Sequence, residues 1–316
     1  MTTNDSCRFG DSWLLSGDTK LSSRLLLRRG LGTSYRLHEQ TKGTMQTPDD
    51  AKARAAATYN AAADAYDDVT NSFWDRFGRR TIERLSPQPG SRILDACCGS
   101  GSSAISAAEE VGPEGYVLGI DLAEKLLELA RIKAGKRGLR NVEFRVGDLL
   151  DLRVPKEEFD AAICVFGVFF VPDMAAAIRA LWHVVRPGGK LAITTWGPRF
   201  FEPATTAFWN SVREVRPDLY KGFNPWDRIS DPQSLQRLLS EGGVGHAEVV
   251  AEDGVHSIPS PEAWWSAVLG SGYRGTLEQL DAQAREHVRT ANMDYIRKAG
   301  IRSVEANVLY AVASKG

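Results

Sequence analysis

The stretch Arg92-Ile93-Leu94-Asp95-Ala96-Cys97-Cys98-Gly99-Ser100-Gly101-Ser102-Ser103-Ala104 decides the fold. Arg92 to Cys97 reads as a buried strand, a short apolar run with one acid near its end. Gly99 and Gly101 then remove Cβ atoms where a ligand must approach backbone. Ser102 to Val111 reads as a helix with Ala104, Ala107, Ala108 and Val111 on one face, and its first turn presents free N–H groups that favour a carboxylate or phosphate. The turn alone is weakly informative. Gly99, Gly101 and Ala104 also satisfy G-x-G-x-x-A, which leaves an NAD(P)-dependent oxidoreductase open.

Downstream of that turn, strands and helices alternate. Tyr116 to Ile120 is the second strand, and Leu122, Leu126, Leu129 and Ala130 stripe the next helix. Val142 to Val146 and Phe159 to Val165 are strands three and four. Met174, Ala177, Ile178, Leu181, Trp182 and Val185 stripe a third crossover helix, which Pro187-Gly188-Gly189 breaks before strand five, Lys190 to Trp196. Continuous apolar strands separated by amphipathic helices predict an α/β, doubly wound, mostly parallel (Rossmann-like) sheet with its ligand outside the carboxyl ends of the strands. After Trp196 the sequence is irregular and aromatic up to Pro225. Then come a helix (Leu235 to Ser240), a strand (Ala247 to Glu252), two further helices and a final strand from Val304 to Ser314. Asp231-Pro232 and Ser260-Pro261 mark helix starts by a capping side chain followed by proline, as does Thr47-Pro48-Asp49-Asp50 before a helix from Ala51 to about Tyr66.

The expected organisation is a methodical one: residues 1–46 as a disordered or dispensable tail, then 47–316 as one domain with a helical cap (47–90), a cofactor-binding core (91–196), and a lid with C-terminal strands (197–316). The tail contains a stretch, Thr19 to Leu37, with five Lys and Arg and no acid. Asp5, Asp11 and Asp18 precede it, which speaks against a transit peptide.

Of 316 residues 43% are apolar, ample for a core, and 39 Lys plus Arg against 40 Asp plus Glu leave a net charge of −1. This balance removes the broad basic face expected of a nucleic-acid binder or of a protein held on acidic membranes. The longest apolar run, Ala161 to Val171, is 11 residues, well short of the roughly 18 needed to span a bilayer. Four cysteines and five scattered histidines, with no CxxC or HExxH, predict a reducing, cytoplasmic setting and no metal site.

Carboxylates weigh between the two readings of the glycine turn. Asp95 ends strand one, Asp121 ends strand two, and Asp148 follows strand three. Asp121 can take ribose hydroxyls in either reading. Asp95 directly under the turn would set negative charge beside a pyrophosphate, and suits instead a ligand carrying an ammonium there.

Leu94 to Gly101, Asp121, Gly147-Asp148 and Val185-Arg186-Pro187-Gly188-Gly189-Lys190-Leu191 together resemble the successive motifs of the class I S-adenosylmethionine-dependent methyltransferases. Tyr59, Tyr66 and the segments Phe159-Asp160 and Phe170-Val171-Pro172-Asp173 are similar to the small-molecule branch that contains the quinone-ring C-methyltransferases. The resemblance implies a seven-stranded sheet and S-adenosyl-L-methionine as methyl donor, released as S-adenosylhomocysteine. It implies that Gly99 and Gly101 line the methionine moiety with Asp95 near its ammonium, flanked by Tyr59, Ala96 and Cys97. It places Asp121 on the ribose, Leu122 and Leu126 on the adenine, Asp148 and Leu149 at its exocyclic amine, and Cys164 and Val165 by the sulfonium. Cys97 departs from the family, many members having glycine there.

Among the aromatic residues crowding the substrate side, Phe166, Phe169, Trp196 and Trp209 are the candidates for contact with a small apolar or aromatic acceptor. Tyr66 and His256 are the candidate proton acceptors. Neither a nucleic acid nor a membrane is an expected partner. A non-catalytic binding protein of the same fold is the remaining alternative.

Overall fold

The computed structural model describes residues 48–316, so the expectations for residues 1–46 and for Thr47 as a helix cap lie outside the described residues. The chain begins with two helices, α1 (Pro48–Tyr66) and α2 (Phe73–Leu85). The alternating part follows: β1 (Arg92–Ala96), α3 (Ser102–Val111), β2 (Tyr116–Asp121), α4 (Glu124–Lys136), β3 (Val142–Val146), β4 (Phe159–Val165), α5 (Met174–Val184) and β5 (Val185–Trp196). Then come α6 (Ala204–Val215), α7 (Pro232–Glu241), β6 (Glu248–Glu252), β7 (Val255–Ser257), α8 (Pro261–Leu269), α9 (Arg274–Leu277), α10 (Ala282–Lys298), β8 (Ser303–Glu305) and β9 (Val308–Ser314).

Seven strands form one sheet in the order β3-β2-β1-β4-β5-β9-β6. β9 alone is reversed, running antiparallel to both β5 and β6. Side-chain alternation divides the core between the two faces of the sheet. Ile93, Val117, Ala161, Ile163 and Ala192 pack with Ile82 and Leu85 of α2, Ala104, Ile105, Ala107, Ala108 and Val111 of α3, and Leu127 and Ala130 of α4. Leu94, Leu118, Ala162, Leu191 and Ile193 point the other way, toward Ile178 and Leu181 of α5, Phe208 and Val212 of α6, and Leu235 and Leu239 of α7. The chain winds outward from β1 in one direction through β2 and β3, then returns to β4 on the other side. The gap between the carboxyl ends of β1 and β4 is therefore the switch point at which such sheets bind ligands.

Three segments differ from the sequence expectation. β5 begins at Val185 rather than Lys190. Val185 pairs with Phe159 and Lys190 with Ala161, so the proline and glycines form a bulge within the strand. Helix α6 occupies part of the stretch expected to be irregular, and its buried Ala204, Phe208 and Val212 recur every four residues. The Phe, Trp and Thr content of that stretch, poor in helix propensity, masks the period. The single final strand is two, β8 and β9, separated at Ala306-Asn307, where Asn307 accepts from Gly254 N at 3.0 Å and donates to Pro198 O at 3.0 Å. The proline-marked helix starts behave as expected: Asp231 accepts from Ser234 N, and Ser260 from Ala263 N.

Candidate active site

A cavity of about 750 Å³ opens at the switch point, within the range of small-molecule sites. Its floor comes from the loops after the strands: Cys97 and Gly99 after β1, Asp121, Leu122, Ala123 and Leu126 after β2, Gly147, Asp148 and Leu149 after β3, and Val165, Phe166 and Gly167 after β4. Lys52, Ala55, Ala56, Tyr59 and Tyr66 of α1 and Trp74 of α2 close it from above.

The glycine turn is held from both sides. Gly99 and Gly101 have φ of +53° and +85°, and a Cβ on Gly99 would stand 3.0 Å from the Tyr66 hydroxyl. Asp121 Oδ2 accepts from Gly99 N and Oδ1 from Ala123 N, both at 2.9 Å. Burial outweighs these bonds and pushes the Asp121 carboxyl above the ordinary carboxylate range. The helical cap is pinned to the same turn: Asp67 accepts from Ser100 Oγ at 2.7 Å and from Lys133 Nζ at 3.0 Å, and Asp75 accepts from Ser102 Oγ at 2.6 Å.

Two non-glycine residues at the cavity sit in left-handed backbone, Cys97 (φ +60°) and Phe166 (φ +54°), at the ends of β1 and β4. Such strain clusters where a fold shapes a site. Gly167 is wedged against both neighbouring thiols, since a Cβ there would fall 2.5 Å from Cys97 Cβ and 2.7 Å from Cys164 Sγ. The hydrogen bond to Cys164, with burial, pushes the Cys97 thiol well up, so it is a packing group rather than a thiolate nucleophile.

Of the residues singled out from sequence, Tyr59, Tyr66, Cys97, Gly99, Asp121, Leu122, Leu126, Asp148, Leu149, Val165 and Phe166 all line this one cavity. Asp95, Ala96, Gly101 and Cys164 do not; they lie behind it. Asp95 is fully buried, with Oδ2 accepting from Ser103 Oγ at 2.6 Å and Oδ1 without a partner. Burial pushes its carboxyl up to about 7, against the Ser103 bond.

Four further expectations are corrected. Trp196 is stacked behind Phe166 at 4.0 Å, and Phe169 packs on Phe170 and Trp226, so each backs the wall instead of forming it. Trp209 belongs to α6 and packs on Phe208 and Tyr273, away from the cavity. His256 is buried on β7 between Phe73 and Phe201, with Nε2 bonded to Thr70 O at 2.8 Å. It is no proton acceptor at the site: the carbonyl requires an N–H there, and burial lowers the imidazole below its usual value. Tyr66 does reach the cavity, but burial and the neighbouring Tyr59 and Asp121 hold it as a neutral phenol, which makes it a donor and not a base.

Sequence reasoning missed Lys52, Ala55, Ala56 and Trp74. The first three share a helix face with Tyr59 at i, i+3, i+4 and i+7, a spacing that was legible. Lys52 Nζ meets Asp148 Oδ2 at 2.5 Å, tying α1 to the loop after β3. No cluster of potential metal ligands occurs among the described residues.

With this geometry in view, comparison with known proteins decides between the open readings. Residues 93–189 match the model of a methyltransferase domain family. The demethylmenaquinone methyltransferase of Listeria monocytogenes is 38% identical over 190 residues, spanning 57% of this chain and 80% of the relative. The aklanonic acid methyltransferase DauC of Streptomyces sp. strain C5 is 34% identical over 210 residues, spanning 63% and 94%. The chain belongs to the S-adenosylmethionine-dependent methyltransferase family. The protein is thus an enzyme whose methyl donor is S-adenosylmethionine, and the oxidoreductase reading of the glycine turn falls away. The same fold recurs in phosphoethanolamine N-methyltransferase 2 of Haemonchus contortus, with a TM-score of 0.52 and 17% identity over 85% of this chain and 60% of that one. No helix of this methyltransferase among the described residues is long and apolar enough to cross a membrane.

Proposed function

We propose that this methyltransferase acts on a small, apolar aromatic acceptor of quinol type, and that the cavity at the switch point seats the donor. One observation carries the reading: the cavity is polar toward β2 and β3, where Asp121 and Asp148 stand, and ringed by Tyr59, Tyr66, Trp74, Phe166 and Phe170 elsewhere. A charged or phosphate-bearing acceptor would find no printed cation among those rings, whereas a flat ring stacks on them. That one curated relative is named for demethylmenaquinone supports the same class.

The residues fit the donor. In this reading the Gly99 turn leaves room for backbone approach at the methionine end, and Asp121 faces the ribose hydroxyls. Leu122, Leu126 and Leu149 pack the adenine beside Asp148. Asp95, behind the turn with an unpartnered oxygen, sets the negative field that the amino group meets. When bound, the donor supplies a methyl group on a sulfonium, open to in-line displacement. The protein contributes alignment and a water-poor enclosure, with Val165 and Phe166 at the end of β4 bordering the reacting centre. Neither Tyr66 nor His256 offers a base, and a quinol brings its own ionisable oxygen, with a phenol-like pKa of about 10, to make the ring nucleophilic.

Incubation with methyl-labelled S-adenosylmethionine and 1,4-naphthoquinol, with phosphoethanolamine as the contrast, tests this. Label is expected in the aromatic product alone; label in phosphoethanolamine with none in the quinol would reverse the assignment.

A further inference from the structure

Trp74, the second residue of α2, forms part of the cavity wall and is only 9% exposed. Its ring is fixed by neighbours on several sides. Tyr66 stacks on it at 4.9 Å with planes 3° apart, Phe73 lies at 4.6 Å, Phe166 at 5.9 Å and Trp196 at 6.1 Å. None of these is a carbonyl or carboxylate, and Nε1 is buried without a hydrogen-bond partner. Buried indole N–H groups are ordinarily paired, and an orphan in a cavity wall is an unused donor available to whatever fills the cavity. Trp209 and Trp226 also leave their indole N–H unpaired, but neither lines the cavity.

Position indicates which bound molecule the donor serves. In the sheet, β2 and β3 lie on one side of β1, and β4 and β5 on the other. Asp121, Leu122, Asp148 and Leu149 are on the first side. Trp74 packs on Phe166 and Trp196, which follow or end the strands of the second side. It therefore faces the space beyond the sulfonium end of the donor, where the acceptor must approach in line.

We propose that Trp74 is a positioning residue whose indole N–H donates a hydrogen bond to a carbonyl or hydroxyl oxygen on the acceptor's ring. The inference rests on the aromatic-acceptor reading above and adds a requirement for a ring oxygen. Stacking alone lets a flat ligand slide and rotate between aromatic walls. One directed hydrogen bond fixes its rotation, so that the atom to be methylated stays on the line of transfer.

The test uses the full chain saturated with S-adenosylhomocysteine and two probes of similar shape, 2-methyl-1,4-naphthoquinone and 2-methylnaphthalene. Trp74→Phe keeps an aromatic wall and removes the donor, and Trp209→Phe removes an orphan indole elsewhere. Trp74→Phe is expected to weaken quinone binding about tenfold and to leave methylnaphthalene and S-adenosylhomocysteine affinities unchanged. Trp209→Phe should change none of the three. Equal losses for both probes in Trp74→Phe would make the residue a packing group and overturn the proposal. So would unchanged quinone affinity, or a tenfold loss for S-adenosylhomocysteine, which would assign the N–H to the donor's carboxylate. If the unaltered protein binds neither probe, the aromatic-acceptor reading fails and this proposal with it. If it binds both and only the discrimination is missing, the reading stands and Trp74 alone is refuted.

Discussion

Asp95 shows how a single side chain can be identified correctly by type and still be placed wrongly. Its position under the glycine turn was legible, but its full burial and its bond to Ser103 depend on where α3 packs, which no local pattern reports. Its folded pKa of about 7 lies above the unfolded carboxylate value. The folded state therefore binds the extra proton, and stability from this group is present below about pH 4 and falls as pH rises toward 7. Asp95→Asn should accordingly be more thermostable than the unaltered protein at pH 8 and close to it at pH 4. Paired melting curves across that range check the sign, and a variant less stable at pH 8 would contradict it. Gly101 makes a second residue-scale prediction. Its φ is +85°, and a Cβ would stand 3.0 Å from Ala130 Cβ and 3.2 Å from Phe144 Cζ. Gly101→Ala should cost about 1–3 kcal/mol in denaturant unfolding, because rigid core atoms on two elements would have to move.

At the scale of elements, the strands after β1 and the helices between them follow directly from apolar periodicity, since each crosses a core that covers both sheet faces. Helices α1 and α6 were harder for different reasons. The face of α1 that meets the cavity is made of small residues and one lysine, which carry almost no hydrophobic signal. α6 is rich in aromatics, so its period is obscured. The ion pair of Lys52 with Asp148 makes α1 a latch over the cavity. Lys52→Gln should speed hydrogen exchange across residues 51–66 and quicken S-adenosylhomocysteine release several-fold, while lowering Tm by about a degree or two, as befits a partly exposed pair. A network that no motif announces joins three other helices: Trp264 Nε1 of α8 donates to Asn292 Oδ1 of α10 at 3.0 Å, and Asn292 Nδ2 donates to Ser211 Oγ of α6 at 2.9 Å. Asn292→Leu would strand the Trp264 N–H, and thermal unfolding should show a loss of about 2–3 kcal/mol.

For the molecule as a whole, sheet order and donor class were readable because both depend on motifs placed in sequence at successive strand ends. The acceptor side was not, because it is assembled from α1, α2 and the loop after β4, residues distant in the chain whose aromatic character is shared by the core behind them. Hence Phe166 was found, Trp74 was missed, and Trp196, Phe169 and Trp209 were credited with contacts that belong to the layer behind or to another part of the core. What unites the account is that one cavity, with Asp121 at its polar end, seats the methyl donor. Calorimetric titration of the full chain and of Asp121→Asn with S-adenosylhomocysteine, and with NADH as a control, tests that claim most directly. The account predicts one site of micromolar affinity for S-adenosylhomocysteine, about a hundredfold weaker in the variant, and no heat from NADH. Equal affinity in both proteins, or NADH bound where S-adenosylhomocysteine is not, would contradict it.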